Sequence, residues 1–150
     1  MLSYKHGYHA GNQADVLKHI CLIQAYKSLK RHHKSISYID THAGSGEYTF
    51  KSDYMSKNKE YENGISKLES YKYENQSIKF YLKVLRNINN SKKMAFYPGS
   101  PSIMSYLSDS SDKLLFYELH NNEVQLLRKH LAKQINSKAV SYTHLRAHET

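Results

Sequence analysis

A doubly wound α/β domain is what this 150-residue sequence predicts, on three observations. Ser35 to Asp40, SISYID, alternates apolar and polar residues, carries β-branched ones, and stops at a turn, THAGSG. Lys113 to Leu119, KLLFYEL, is a continuous apolar run of buried-strand type. Asn121 or Asn122 then caps a helix through Val124, Leu127 and Leu131. Strand, crossover with helix, strand, helix is how a doubly wound parallel sheet begins.

The elements follow in order. The first dozen residues are polar and aromatic with two glycines, which predicts an arm or loop. From about Gln13 to His32, spacings of three and four at Val16, Ile20, Ile23 and Tyr26 predict a helix. Asn12 is its N-cap, and Lys30, Arg31 and Lys34 crowd the end where the helix dipole favours cations. Cys21, the single cysteine, is expected to be a packed thiol on this helix, and it leaves no internal disulfide or cysteine zinc site. Residues 51 to 97 change character, with ten Lys or Arg against five Asp or Glu. Ile78, Leu82, Leu85 and Ile88 mark one helix there, and Tyr61, Ile65 and Leu68 a shorter one. The segment is expected to be a basic helical insertion, 51–96, between two parts of one domain, 1–50 and 97–139. Pro98, Gly99 and Pro101 predict a turn, with Pro101 in the first turn of a helix. The ending SYTHLRAHET resembles read-through of cloning-adapter sequence, so residues 140–150 are expected to be a non-native tail.

A net charge of +9 favours a polyanionic partner, most often nucleic acid. The alternative is a merely soluble basic protein. Mean hydropathy is −0.73, so any core is compact under a polar surface. No apolar run approaches the roughly 20 residues of a membrane span, and MLSYKHGYHAGNQ has no apolar signal core. A cytoplasmic protein is expected.

In an open α/β sheet, ligands bind beyond the carboxyl ends of the strands. DTHAGSG places Asp40, Gly44 and Gly46 there, but the third glycine of a dinucleotide fingerprint is missing, which disfavours a pyrophosphate cofactor. A plain strand-ending turn is the alternative. Glu118, near the end of the second strand, sits where a carboxylate accepts both hydroxyls of a ribose, so a nucleoside cofactor is the better reading. Asp15, Lys18 and His19 lie one turn apart on one helix face, where Asp15 can simply pair with its neighbours. His6, His9, His19 and His42 lack the paired carboxylates of a metal site, and no metal is expected.

MLSYKHGYHAGNQADVLKH, YIDTHAGSGEY, YPGSP and YELH closely resemble the bacterial RlmJ family, over about residues 1 to 139. Those proteins methylate N6 of an adenine in 23S ribosomal RNA with S-adenosylmethionine. The resemblance implies a Rossmann-like class I methyltransferase fold with a small helical subdomain inserted after the first strand. Carried over, His19, His42, Ser100 and Glu118 resemble methionine-moiety and ribose contacts of the cofactor, with Gly44 and Gly46 forming the turn beneath it. Tyr4, His6 and Lys18 resemble the family's N-terminal active-site residues. The family has an Asp-Gly pair near Tyr142, Thr143 and His144, and a D-P-P-Y motif further on. The chain as given is therefore expected to lack catalytic competence. A monomer acting on 23S ribosomal RNA is expected. A DNA adenine-N6 methyltransferase and a non-catalytic RNA-binding module are the alternatives.

Overall fold

In the computed structural model, residues 5–135 and 141–145 are described, and the side chains after residue 133 are not. Three parallel strands form the sheet, in the order β1 (Ser37–Asp40), β4 (Lys113–Tyr117), β5 (Ser141–Leu145). Asp40 stands opposite Phe116, and Phe116 opposite His144, so all three strands end together. β4 is central, which is why KLLFY reads as an apolar run. β5 lies within SYTHLRAHET, and its pairing uses main-chain groups alone.

Helix α1 (Gln13–Lys30) starts where the sequence predicts, with the Asn12 side chain accepting from the Asp15 N–H. Its buried stripe is Asp15, His19, Ile23 and Tyr26, and Val16 and Ile20 are only half-buried. Cys21 lies two residues round the helix from that stripe and is exposed, not packed as expected. β2 (Glu47–Thr49) and β3 (Phe96–Pro98) pair antiparallel, which the sequence reading missed. Between them run α2 (Asp53–Asn58), a 3₁₀ turn, α3 (Ile65–Ser70) and α4 (Gln76–Asn89). α5 (Ser100–Leu107) carries Pro101 in its first turn, as predicted. α6 starts at Asn121, but its first backbone bond runs from Val124 N–H to the His120 carbonyl. His120 is thus the cap position, and both asparagines lie inside the helix.

Two clusters form the core. Ile23, Met55, Ile65, Tyr81, Leu85, Tyr97 and Ile103 join α1 and α5 to the helices between β2 and β3. Tyr26, Met104, Leu114, Phe116, Leu127 and Leu131 pack α1, α5 and α6 against the sheet. At the amino end of the strands, buried Asp112 accepts from Tyr26 Oη (2.8 Å), the Ile36 N–H (2.8 Å) and Lys30 Nζ (3.0 Å). That carboxylate is a clamp on the fold, at the end of the sheet opposite the site. Among the described residues, no helix is long and apolar enough to cross a membrane.

Candidate functional site at the carboxyl ends of the strands

The turn after β1 is held from below and from the side. Ala43 N–H donates to the Tyr117 carbonyl at 3.0 Å, which stitches the turn to the end of β4. Gly44 and Gly46 have φ of 65° and 79°, a left-handed backbone that glycine adopts without penalty. A Cβ on Gly44 would collide with the Tyr48 hydroxyl, and one on Gly46 would meet Leu127 Cδ1 at 3.0 Å. Both glycines are therefore required by the turn's own packing. Gly44 N–H donates to Glu118 Oε2 at 2.8 Å, so in this state it does not face a ligand.

Glu118 also accepts, on Oε1, from the His120 N–H (2.8 Å) and His120 Nδ1 (2.9 Å). Burial works against its charge, but these N–H bonds outweigh burial and hold its pKa below the ordinary range. The Leu119 N–H lowers its pKa as well, so the roughly four lone-pair sites of the carboxylate are engaged and a ribose hydroxyl has to displace one of these donors.

Asp40 ties the end of β1 to the start of α5. Its Oδ2 accepts from Ser100 Oγ at 2.6 Å and Tyr38 Oη at 2.9 Å. His42 is exposed, with Nδ1 2.9 Å from Thr41 Oγ1.

Asp15 is the residue sequence reasoning undervalued. It is 1% exposed, and its Oδ2 accepts from His6 Nε2 (2.7 Å) and the Gly11 N–H (3.0 Å). Lys18 Nζ lies 3.2 Å from Oδ1, the pairing that helical spacing suggests. Burial alone would raise the Asp15 pKa, but His6, His19 and the Gly11 N–H bring it down to about 2. His6 and Lys18, far apart on the arm and the helix, are thus gathered on one carboxylate. No hydrophobic pattern signals such a residue; only its acidic identity inside a dense polar stretch does.

His19 does not bond to Asp15. Its Nδ1 lies 2.8 Å from Tyr97 Oη, which lies 2.8 Å from Tyr81 Oη. Burial pushes the imidazole pKa down to about 4, although Asp15 opposes the shift, so the ring is neutral near pH 7.

His6, Lys18, His19, His42, Gly44, Ser100 and Glu118 all line one cavity of about 680 Å³, with Asp15 and His120 in its wall. Gly46 lies just outside the lining, and Tyr4 lies outside the described residues. Tyr142, Thr143 and His144 fall on β5, opposite Leu114, Leu115 and Phe116, and only their backbone register is described. Among the described residues no cluster of three or more His, Cys, Asp or Glu is placed to hold a metal.

A second, open cleft of about 560 Å³ lies at the end of α4, lined by Lys83, Arg86, Asn87, Asn90, Ser91 and Lys92. No acidic residue lines it. Lys79, one turn earlier, is paired with Glu74 at 3.2 Å, and Arg86 reaches Glu69 only at 3.7 Å. Lys83 and Lys92 have no acidic partner among the described residues.

Residues 33–147 match the family model described as ribosomal RNA large subunit methyltransferase D, RlmJ. The ribosomal RNA large subunit methyltransferase J of Haemophilus influenzae is 39% identical over 137 residues, covering 91% of this chain and 49% of that protein. The protein of the same name from Escherichia coli K12 is 39% identical over 133 residues, covering 89% and 48%. The crystal structure of protein LPL1258 from Legionella pneumophila, of family DUF519, superposes with a TM-score of 0.76 at 34% identity, over 91% of this chain and 49% of that one. The fold is thus the Rossmann-like one that the resemblance implied. The chain spans about half the length of the relatives it matches. With the family model matched over 33–147 and relatives at this identity, the chain belongs to the RlmJ family.

Proposed function

We propose that this chain forms the methyl-donor half of an enzyme that methylates adenine N6 in 23S ribosomal RNA, with S-adenosylmethionine held in the larger cavity. One observation carries this: six polar side chains from five segments of the chain, namely His6, Lys18, His19, His42, Ser100 and Glu118, meet around a single cavity where an α/β sheet binds its ligands. The residues fit a nucleoside with a charged amino-acid tail. Glu118 is a charged acceptor in the cavity wall suited to ribose hydroxyls, and His19 lines the cavity with no partner for Nε2 among the described residues. When bound, the cofactor supplies a methyl group on a sulfonium, an electrophile that needs no metal. Lys18 and His6, braced on Asp15, stand at the mouth where an adenine enters, and their task is to hold the base and exclude water. The helices between β2 and β3 form the insertion, and the Lys83–Lys92 cleft is the part of it suited to RNA phosphates, because its cations are the least compensated.

Methyl transfer by the full-length protein to a 23S ribosomal RNA fragment tests the proposal. Wild type transfers methyl to adenine N6. Lys18→Ala lowers the turnover number about 10- to 100-fold at saturating cofactor while cofactor affinity stays nearly intact. Neutralising Lys83, Arg86 and Lys92 together leaves turnover intact but raises the Michaelis constant for RNA. It also flattens the slope of log affinity against log salt by up to about 2–3, since each phosphate contact contributes about 0.7–0.9. An unmethylated product overturns the proposal, and an unchanged salt slope removes the cleft from the RNA surface.

A further inference from the structure

We infer that Tyr97 is a positioning residue that locks His19 in the Nε2–H tautomer, so that the cavity presents a neutral N–H donor and selects a carboxylate on its ligand. The tautomer follows from counting hydrogens along the buried chain His19 Nδ1, Tyr97 Oη, Tyr81 Oη, whose two links are both 2.8 Å. His19 is 5% exposed and both tyrosines are 0% exposed, so water satisfies none of these hydroxyls. Three hydrogens are available for two links: one on each hydroxyl and one on the imidazole.

Only one arrangement leaves no hydroxyl hydrogen stranded. Tyr81 donates to Tyr97, Tyr97 donates to His19 Nδ1, and the imidazole hydrogen sits on Nε2. In the reversed chain, Nδ1–H donates to Tyr97 and Tyr97 donates to Tyr81. The Tyr81 hydrogen then has no acceptor, since Tyr81 makes no other hydrogen bond among the described residues and its cluster includes Ile23, Ile65 and Leu85. If both neighbours donate to Tyr97, the Tyr97 hydrogen is stranded instead. An unmet hydroxyl in an apolar core is costly, so the first arrangement prevails. Tyr97 belongs to β3, so a strand residue 78 positions away sets the chemistry of a ring on α1.

The consequence lies in the cavity, which His19 lines. Nε2 makes no bond to any described residue, and an N–H there rejects a ligand ammonium and favours an acceptor. The carboxylate of an amino-acid tail is the strongest acceptor such a ligand carries. This half of the inference rests on the cofactor reading given above, whereas the tautomer does not.

Long-range ¹H–¹⁵N spectra of the ligand-free protein test the tautomer, with the His19 signals assigned by their loss in His19→Gln. Wild type is expected to show a protonated Nε2 and an unprotonated Nδ1. Tyr97→Phe is expected to lose that preference, while Tyr81→Phe keeps it because Tyr97 still donates. A wild-type ring protonated on Nδ1, or a tautomer unchanged in Tyr97→Phe, overturns the inference. The wild-type spectrum decides even if Tyr97→Phe fails to fold. Calorimetry in the full-length protein tests the ligand half. Tyr97→Phe should weaken S-adenosylhomocysteine about tenfold, the worth of one hydrogen bond, and should leave its decarboxylated analogue unchanged. Equal losses for both ligands overturn carboxylate selection. No binding by wild type overturns that selection and the cofactor reading together, whereas a wrong tautomer leaves the cofactor reading standing.

Discussion

Asp15→Ala is expected to cost about 3 kcal/mol of folding stability, the scale for removing one partner from a buried charged cluster. The substitution strands the Gly11 N–H, for which the Asp15 carboxylate is the acceptor, and leaves the His6 ring without its 2.7 Å contact. Lys18 loses a neighbour too, but it is exposed, so little of the cost comes from that pair. Asp15→Asn keeps an uncharged acceptor for the Gly11 N–H and should cost roughly half as much. Urea unfolding checks both variants. A loss below about 1 kcal/mol in Asp15→Ala would mean that the arm and α1 are held together by other contacts. Since His6 and Lys18 converge on this carboxylate, activity in the full-length protein should fall in step with Lys18→Ala.

Stability should also fall in two acid steps. The His19 pKa lies near 4 in the folded chain against 6.5 for an ordinary histidine, so the unfolded chain binds a proton that the folded one refuses. Stability therefore rises with pH across that window. It is complete above about pH 6.5 and is lost progressively as the pH falls to about 4, by up to about 3 kcal/mol. Asp15, held at about 2 against 3.8, contributes nothing to that step, because it is ionised in both states there. Its own contribution disappears below about pH 4. Unfolding free energies for wild type and His19→Gln between pH 7 and 4.5 isolate the first step, whose slope the variant should flatten. Parallel profiles would show that His19 is not neutral by burial.

What the sequence reveals follows the range of the interactions involved. The Asn12 cap, the Pro101 turn and the KLLFY strand are set by neighbours a few residues away, and they appear where local rules put them. β2 and β3 are three residues each and pair across nearly fifty positions, so neither has a period to read. The buried stripe of α1 includes Asp15 and His19, which hydropathy assigns to solvent, and the same rule puts Cys21 inside, where the structure exposes it. His120 took the cap of α6 because the Glu118 carboxylate fixes its backbone N–H, a contact made at the strand end. Glu118 itself is recognisable from its place after the apolar run. Its N–H donors are not, and they give Glu118→Ala a folding cost as well as the binding cost that its position suggests. Nothing in the local sequence around Tyr97 marks it out. Only its contact with His19 Nδ1, made across 78 positions, carries the tautomer inference.

Mapping backbone amide shifts on adding S-adenosylhomocysteine to the ¹⁵N-labelled full-length protein tests most directly whether the larger cavity is the methyl-donor site. The expected result is saturable shifts concentrated at Thr41–Gly44, Gly99–Ser100 and Glu118–His120, with the α4 cleft silent. Saturable binding that leaves those three segments unmoved, or no binding at millimolar ligand, would contradict it.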